Sequence, residues 1–183
     1  MTQLEFLSAR PAASAEFRPQ LRSPLERALA HLPRTVELRD LSLELAKFEV
    51  RGDLDAVEGD LIRITPRRGL VLAAYADADA VETLLRAQAD TVLDVTGALA
   101  ALRIGGINAP TLMRRLTDLD LEQLPAAGAV AHVPAIVRVW TKSDGVRPWN
   151  NSSTEAAEFD VFWPQEYGHY LAHVVVDTAE GLA

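Results

Sequence analysis

An α+β fold, with antiparallel or mixed sheets carrying helices on one side, is predicted by three observations in this 183-residue chain. Short stretches of period-two alternation outnumber helical ones, single helices separate them, and a unit of two extended segments followed by one helix occurs twice. The first unit runs through Tyr75 into a helix opening at Asp79, and the second runs to Ile104 into a helix capped by Asn108. A doubly wound sheet would alternate strand and helix singly, so that class is set aside.

The elements follow in order. Residues 1–22 carry Pro11 and Pro19 without sustained periodicity and read as an arm ordered by whatever it touches. Ser23-Pro24-Leu25-Glu26 is a capping box with proline at the first helical position, which predicts a helix through Leu25, Ala28, Leu29 and Leu32 up to Pro33. Val36 to Val50 alternates with a change of phase, the pattern of a bulged strand or of one that bends between two packing surfaces. Strands are predicted at Leu61–Ile64 and Gly69–Tyr75, and Asp79-Ala80-Val81-Glu82 reads as a second capping box. Thr91–Val95 and Ala98–Ile104 flank a turn at Thr96-Gly97, and Pro110 sits in the first turn of the helix behind Asn108. An extended region from Gly128 to Trp140 is interrupted at Pro134, a polar loop covers about Ser143 to Ala157, and Phe159–Trp163 is the last strand. Pro164 then opens a helix bearing Tyr167, Tyr170, Leu171, Val174 and Val175. One domain over residues 23–183 results, with lobes of about 34–95 and 96–183.

Composition narrows the function. With 18 Lys+Arg against 26 Asp+Glu the formal charge is −8, which repels phosphate backbones and anionic membranes, so no nucleic-acid or membrane partner is expected. No cysteine is present, which removes disulfides, thiolate nucleophiles and Cys-ligated metals. The first residues lack the apolar run of a signal peptide and no segment is apolar enough to span a membrane, so the expected location is the cytoplasm. Lys47 and Lys142 are the only lysines, leaving two candidates for Schiff-base chemistry.

Each reactive pattern has a plainer account beside it. Gly105-Gly106 precedes a helix yet lacks the further glycines and the Lys-Ser/Thr of a phosphate loop, so a tight strand-to-helix turn is expected. His169 and His173 share a helix face at i, i+4, with Glu166 or Asp177 as a third metal ligand, but a solvated or dimer-facing helix edge explains the pair more cheaply. Asp53/Asp55, Asp77/Asp79 and Asp118/Asp120 lie at loop ends, where capping accounts for them. Trp163 ends a strand and belongs to the core. Trp149 follows Arg147-Pro148 in a polar loop, where a monomer has little reason to expose an indole, so Arg147, Trp149 and the strand-end Tyr75 are candidate partner contacts. No catalytic, cofactor or metal residue is assigned.

Read as a series, Ser23-Pro24-Leu25-Glu26, Val36-Glu37-Leu38-Arg39-Asp40, Asp94-Val95-Thr96, Leu102-Arg103-Ile104-Gly105-Gly106, Leu116 to Leu121, Gly128 to His132, Phe159-Asp160-Val161-Phe162 and Tyr167 to Leu171 resemble the gamma subunit of heterotetrameric sarcosine oxidase. The pattern is also similar to the folate-binding domain of the glycine-cleavage T-protein. The resemblance implies an α+β subunit of an oxidoreductase complex that packs on a large, alpha-type flavoprotein subunit, holds no cofactor of its own and is not an enzyme by itself. It implies further that the catalytic acid of T-proteins is missing, because Pro134 to Arg138 replaces their Gly-Gly-x-x-Asp-Asp stretch. Two alternatives stand beside it: a stand-alone, aminomethyltransferase-like one-carbon protein that binds tetrahydrofolate, and a structural homo-oligomer.

Overall fold

The computed structural model describes residues 22–140 and 157–182. Its strands form two wholly antiparallel sheets. The smaller sheet has the order β3-β4-β2-β5, from β2 (Leu45–Arg51), β3 (Asp60–Thr65), β4 (Arg68–Ala74) and β5 (Thr91–Asp94). The larger has the order β1-β6-β9-β8-β7, from β1 (Glu37–Asp40), β6 (Leu99–Gly105), β7 (Ala126–Val130), β8 (Val133–Trp140) and β9 (Glu158–Pro164). The α+β class with antiparallel sheets is thus the observed one.

Two apolar layers lie outside the sheets and one between them. Helix α1 (Ala78–Gln88) covers the smaller sheet, with Leu85 among Phe48, Val50, Val71 and Val92. Helices α2 (Ala109–Leu116) and α3 (Gly168–Glu180) cover the larger one, against Leu102, Ile104, Val137, Phe159, Val161 and Trp163. The inner faces meet through Ile62, Leu70 and Leu72 on one side and Ala101, Phe162 and Ile136 on the other. Each sheet therefore has its helices on one side only, and its other side is shared.

The two sheets are variations on one plan. In the smaller, the first and third strands in chain order, β2 and β4, lie at the centre, with β3 and β5 outside and α1 leading into β5. In the larger, β6 and β9 are central, with β8 and β1 outside and α3 following β9. This is the β-α-β-β-α-β arrangement twice over. The 3-10 turn Leu54–Ala56 stands where α2 stands in the second copy, and β7 is an addition. The strand expected after α3 is supplied by β1, from the other end of the domain.

That exchange explains the phase change between Val36 and Val50. It is no bulge but a passage between two packing surfaces, made between two strands rather than within one: the chain leaves the larger sheet at Asp40 and enters the smaller one at Leu45. The crossing is stitched locally. The Ser42 amide donates to Asp40 Oδ1 at 2.9 Å, the Leu41 amide to the Ala101 carbonyl at 2.9 Å, and the Ala101 amide to Ser42 Oγ at 3.1 Å.

Other expectations are corrected in detail. The helix expected from Ser23 is a turn followed by a 3-10 helix at Ala28–Ala30, although Ser23 Oγ does accept the Leu25 amide at 3.0 Å. Pro24 and Pro33 bracket too few residues to repay helix nucleation, and Leu25 and Ala28 are fixed by the core instead. Asp79 does not cap α1; it lies inside the first turn, behind the 3-10 turn Tyr75–Asp77. Asn108 is at the N-cap of α2, yet its side chain donates to the Thr35 carbonyl rather than capping. Pro134 sits within β8 opposite Ala129, and the chain reverses at Ala131-His132, with φ of 46° and 67°. Both residues occupy the left-handed region, as a two-residue hairpin of this hand requires.

Replacing Ser42 with alanine orphans the buried Ala101 amide at the crossing. Ser42→Ala is expected to cost about 1–3 kcal/mol, read as a lower urea midpoint with an unchanged slope.

Candidate functional site

Strands buried on both faces read as near-continuous apolar runs, so a charged residue inside one is conspicuous. Arg103 in β6, Arg138 in β8 and Asp160 in β9 are such residues, and all three point into the space between the sheets. Register places them in one row, Arg103 and Arg138 each directly opposite Asp160 on either flank, with Arg39 of β1 opposite Arg103.

Asp160 is fully buried. Arg103 grips it with two bonds, Nε to Oδ1 at 2.6 Å and Nη2 to Oδ2 at 3.0 Å, while Arg138 Nε reaches Oδ2 at 3.0 Å. Arg138 then crosses to the smaller sheet, where Nη1 meets Asp60 Oδ1 at 2.5 Å. The Arg103 guanidinium lies 3.8 Å from the Trp140 ring centroid and 3.8 Å from a Glu158 oxygen. Such a network fixes register and spacing. Asp160 is held by three bonds from two arginines, so its oxygens are occupied by the protein itself.

Lys47 is the second buried charge. It lies on the inner face of β2, wholly inaccessible, and donates from Nζ to the Ser42 and Leu45 carbonyls at 2.9 Å each. Burial lowers its pKa to about 8, and the negative charges of Asp40 and Asp94 partly oppose that fall. A perturbed lysine is a nucleophile only if a substrate can reach it. This one closes the turn between the sheets from inside.

The residues singled out in the sequence fall elsewhere. Tyr75 is 49% exposed in the 3-10 turn that follows β4. Arg147, Trp149, Lys142 and most of the polar loop lie outside the described residues. Gly105-Gly106 forms a strand-to-helix turn in which Gly106 takes φ 92° and its carbonyl accepts the Ala109 amide. His169 and His173 stand edge to face on α3 with centroids 4.4 Å apart, and among the described residues no three His, Asp or Glu side chains gather closely enough for a metal ion. Asp53 and Asp120 cap short turns, and Trp163 is buried as expected, with its Nε1 lacking a hydrogen-bond partner among the described residues.

The sequence reading does not single out Arg103, Arg138 and Asp160. The signal is a period-two charge in a run such as Phe159-Asp160-Val161-Phe162. The partner strand was needed to show that the charges coincide in register.

No protein-family model matches the chain, and no curated protein does. Among solved structures, a chain of heterotetrameric sarcosine oxidase from Corynebacterium sp. U-96 superposes with a TM-score of 0.62 at 15% identity, covering 88% of this chain and 95% of that one. The chain shares this fold. The glycine cleavage system aminomethyltransferase T from Bartonella henselae matches with a TM-score of 0.50 at 15% identity, over 86% of this chain but 48% of that one, so this chain spans about half its length. No helix among the described residues is long and apolar enough to cross a membrane.

Two predictions follow from the buried charges. Asp160→Asn removes the buried carboxylate that Arg103 and Arg138 share, leaving them only their outer partners Glu158 and Asp60, and is expected to cost about 3–5 kcal/mol in urea unfolding, whereas Arg39→Ala, at the exposed end of the same row, leaves the midpoint unchanged. Between about pH 8 and 10.5 the unfolded chain keeps the Lys47 proton that the folded chain has released, so stability rises with pH across that window. The rise approaches about 1.4 kcal/mol per pH unit, and Lys47→Met abolishes it.

Proposed function

We propose that this chain is a non-catalytic, gamma-type subunit of a cytoplasmic flavoenzyme complex that oxidises sarcosine or a related N-methylamine. It packs on the large flavoprotein subunit and holds no cofactor itself. The observation that carries this reading is the end-to-end correspondence with one chain of a heterotetrameric sarcosine oxidase. The sarcosine oxidase chain is matched over 95% of its length, whereas the aminomethyltransferase is matched over 48% of its own. The buried charged groups agree with it: Asp160 is committed to arginines and Lys47 is sealed from solvent, so both serve the scaffold.

Affinity purification of the tagged chain from its native cells tests the proposal. The expected result is a complex with flavin absorbance that turns over sarcosine, with no turnover by the chain alone. A chain that elutes without a flavoprotein, or that oxidises a methylated amine unaided, overturns it.

The likeness to the aminomethyltransferase favours one alternative, a stand-alone folate-binding protein. Titration with tetrahydrofolate, followed by tryptophan fluorescence, separates the two. A saturable change supports the alternative, and a flat response at millimolar ligand removes it.

A further inference from the structure

Both crossings between the sheets, residues 41–44 and 95–98, lie at the same end of the molecule. Three hydrogen bonds gather the neighbouring segments there: the Tyr75 amide donates to the Glu44 carbonyl, Val95 to Lys47, and Gln165 to Ala98. Strands β4 and β9 also finish at this end, each passing through a 3-10 turn into its covering helix. Tyr75 belongs to the first of these turns and Tyr167 to the second. Tyr170 follows in the opening turn of α3, with its hydroxyl 3.5 Å from the Ala131 carbonyl of the β7–β8 turn.

The chain has three tyrosines, and all three are at this end, 49%, 43% and 49% exposed for Tyr75, Tyr167 and Tyr170. Leu43, 37% exposed, lies in the crossing next to Glu44, whose carbonyl accepts the Tyr75 amide. The remaining exposed large apolar residues are Leu32, Leu84, Leu93 and Ile107, of which Leu93 immediately precedes the second crossing. Tyrosine is a residue of interface centres, because it offers area and a hydroxyl at small entropic cost.

The charge that these segments carry is of one sign. Segments 43–44, 74–79, 94–98 and 165–170 contain five carboxylates, Glu44, Asp77, Asp79, Asp94 and Glu166, and no lysine or arginine. Glu44 pairs with Arg39, while the other four make no ion pair with a described residue. The helix dipole accounts for Asp77 and Asp79 at the start of α1 and for Glu166 in the 3-10 turn ahead of α3. It does not account for the tyrosines between them.

From this arrangement we infer that the crossover end is the docking surface for the large flavoprotein subunit, which presents an apolar patch rimmed by arginine or lysine. The inference rests on the subunit reading above. A second copy of this chain is a poor occupant, since a symmetric contact here sets acidic rim against acidic rim. A basic rim relieves the charge and leaves the tyrosines to be desolvated at the centre.

The test uses the intact chain and the flavoprotein recovered with it, identified by flavin absorbance and peptide mass. Binding is measured for the unaltered chain, for Tyr75→Ala/Tyr167→Ala, for Asp77→Lys/Glu166→Lys, and for Ile107→Ser at the opposite end, with thermal unfolding confirming that each is folded. The tyrosine pair is expected to weaken binding at least about tenfold. Rising salt is expected to weaken binding of the unaltered chain, charge reversal to remove most of that dependence, and Ile107→Ser to leave binding unchanged. If the unaltered chain binds the flavoprotein and both crossover variants bind equally well, the surface is wrong and the subunit reading stands. If the unaltered chain binds no flavoprotein, both fall.

Discussion

Two sheets that carry helices on one face only have to bury the other face, and here they bury it against each other. The rest of the structure depends on that shared layer. Its adhesion is apolar: side chains such as Ile62, Leu70, Leu72 and Phe162 each contribute roughly 1.5–3 kcal/mol when taken from water. The buried row of Arg103, Asp160 and Arg138 adds little net energy, because the cost of drying three charges roughly cancels their attraction. What it adds is position. A slip of β8 or β6 by one residue would turn an arginine into the outer apolar layer and strip Asp160 of one of its two guanidinium partners. The bond from Arg138 to Asp60 carries the same constraint from one sheet to the other.

Much of the fold was legible in the sequence where turn chemistry and period agreed. The strands ending at Ala74 and Gly105, the helix behind Asn108 and the last strand at Phe159–Trp163 were all visible as local patterns. The sequence failed where a tertiary event had no local signature. The phase change at Leu41 records a chain passing between sheets: a change of packing surface is legible in the period, but not that the two surfaces belong to separate sheets. At Ala131-His132 a hairpin turn is made without the Asn or Gly such turns favour, so the proline two residues later drew the boundary instead. The short helix after Ser23 had its cap and its proline, yet tertiary contacts of Leu25 and Ala28 outweigh a marginal propensity.

The candidate site was less legible than the fold. Period two shows that Arg103, Arg138 and Asp160 interrupt apolar runs, but only pairing register shows that they meet. Lys47 is similar: one lysine in a strand gives no sign that its amine closes the turn beneath two crossings. Tyr75, by contrast, was accessible to sequence reasoning because it stands where a strand runs into a helix. Tyr167 and Tyr170 hold the corresponding place in the second copy of the plan, which the equivalence of β4–α1 with β9–α3 makes apparent only in three dimensions.

That equivalence bears on why contact would concentrate at the crossover end. Docking costs free energy for every loop and side chain that has to be ordered. At this end the ordering is already done: Ser42 and Asp40 close one crossing, Asp94 accepts the Thr96 amide at 2.8 Å in the other, and the Lys47 amide donates to Thr96 Oγ1 at 2.9 Å to join the two. Lys47 Nζ braces the same turn from below. The tyrosines therefore stand on a platform held by both sheets, and a partner that covers them orders side chains but little backbone. The rigidity imposed by the buried row and the presentation of an aromatic, acidic end are two results of one constraint, the joining of two half-covered sheets by a chain that crosses twice at a single edge.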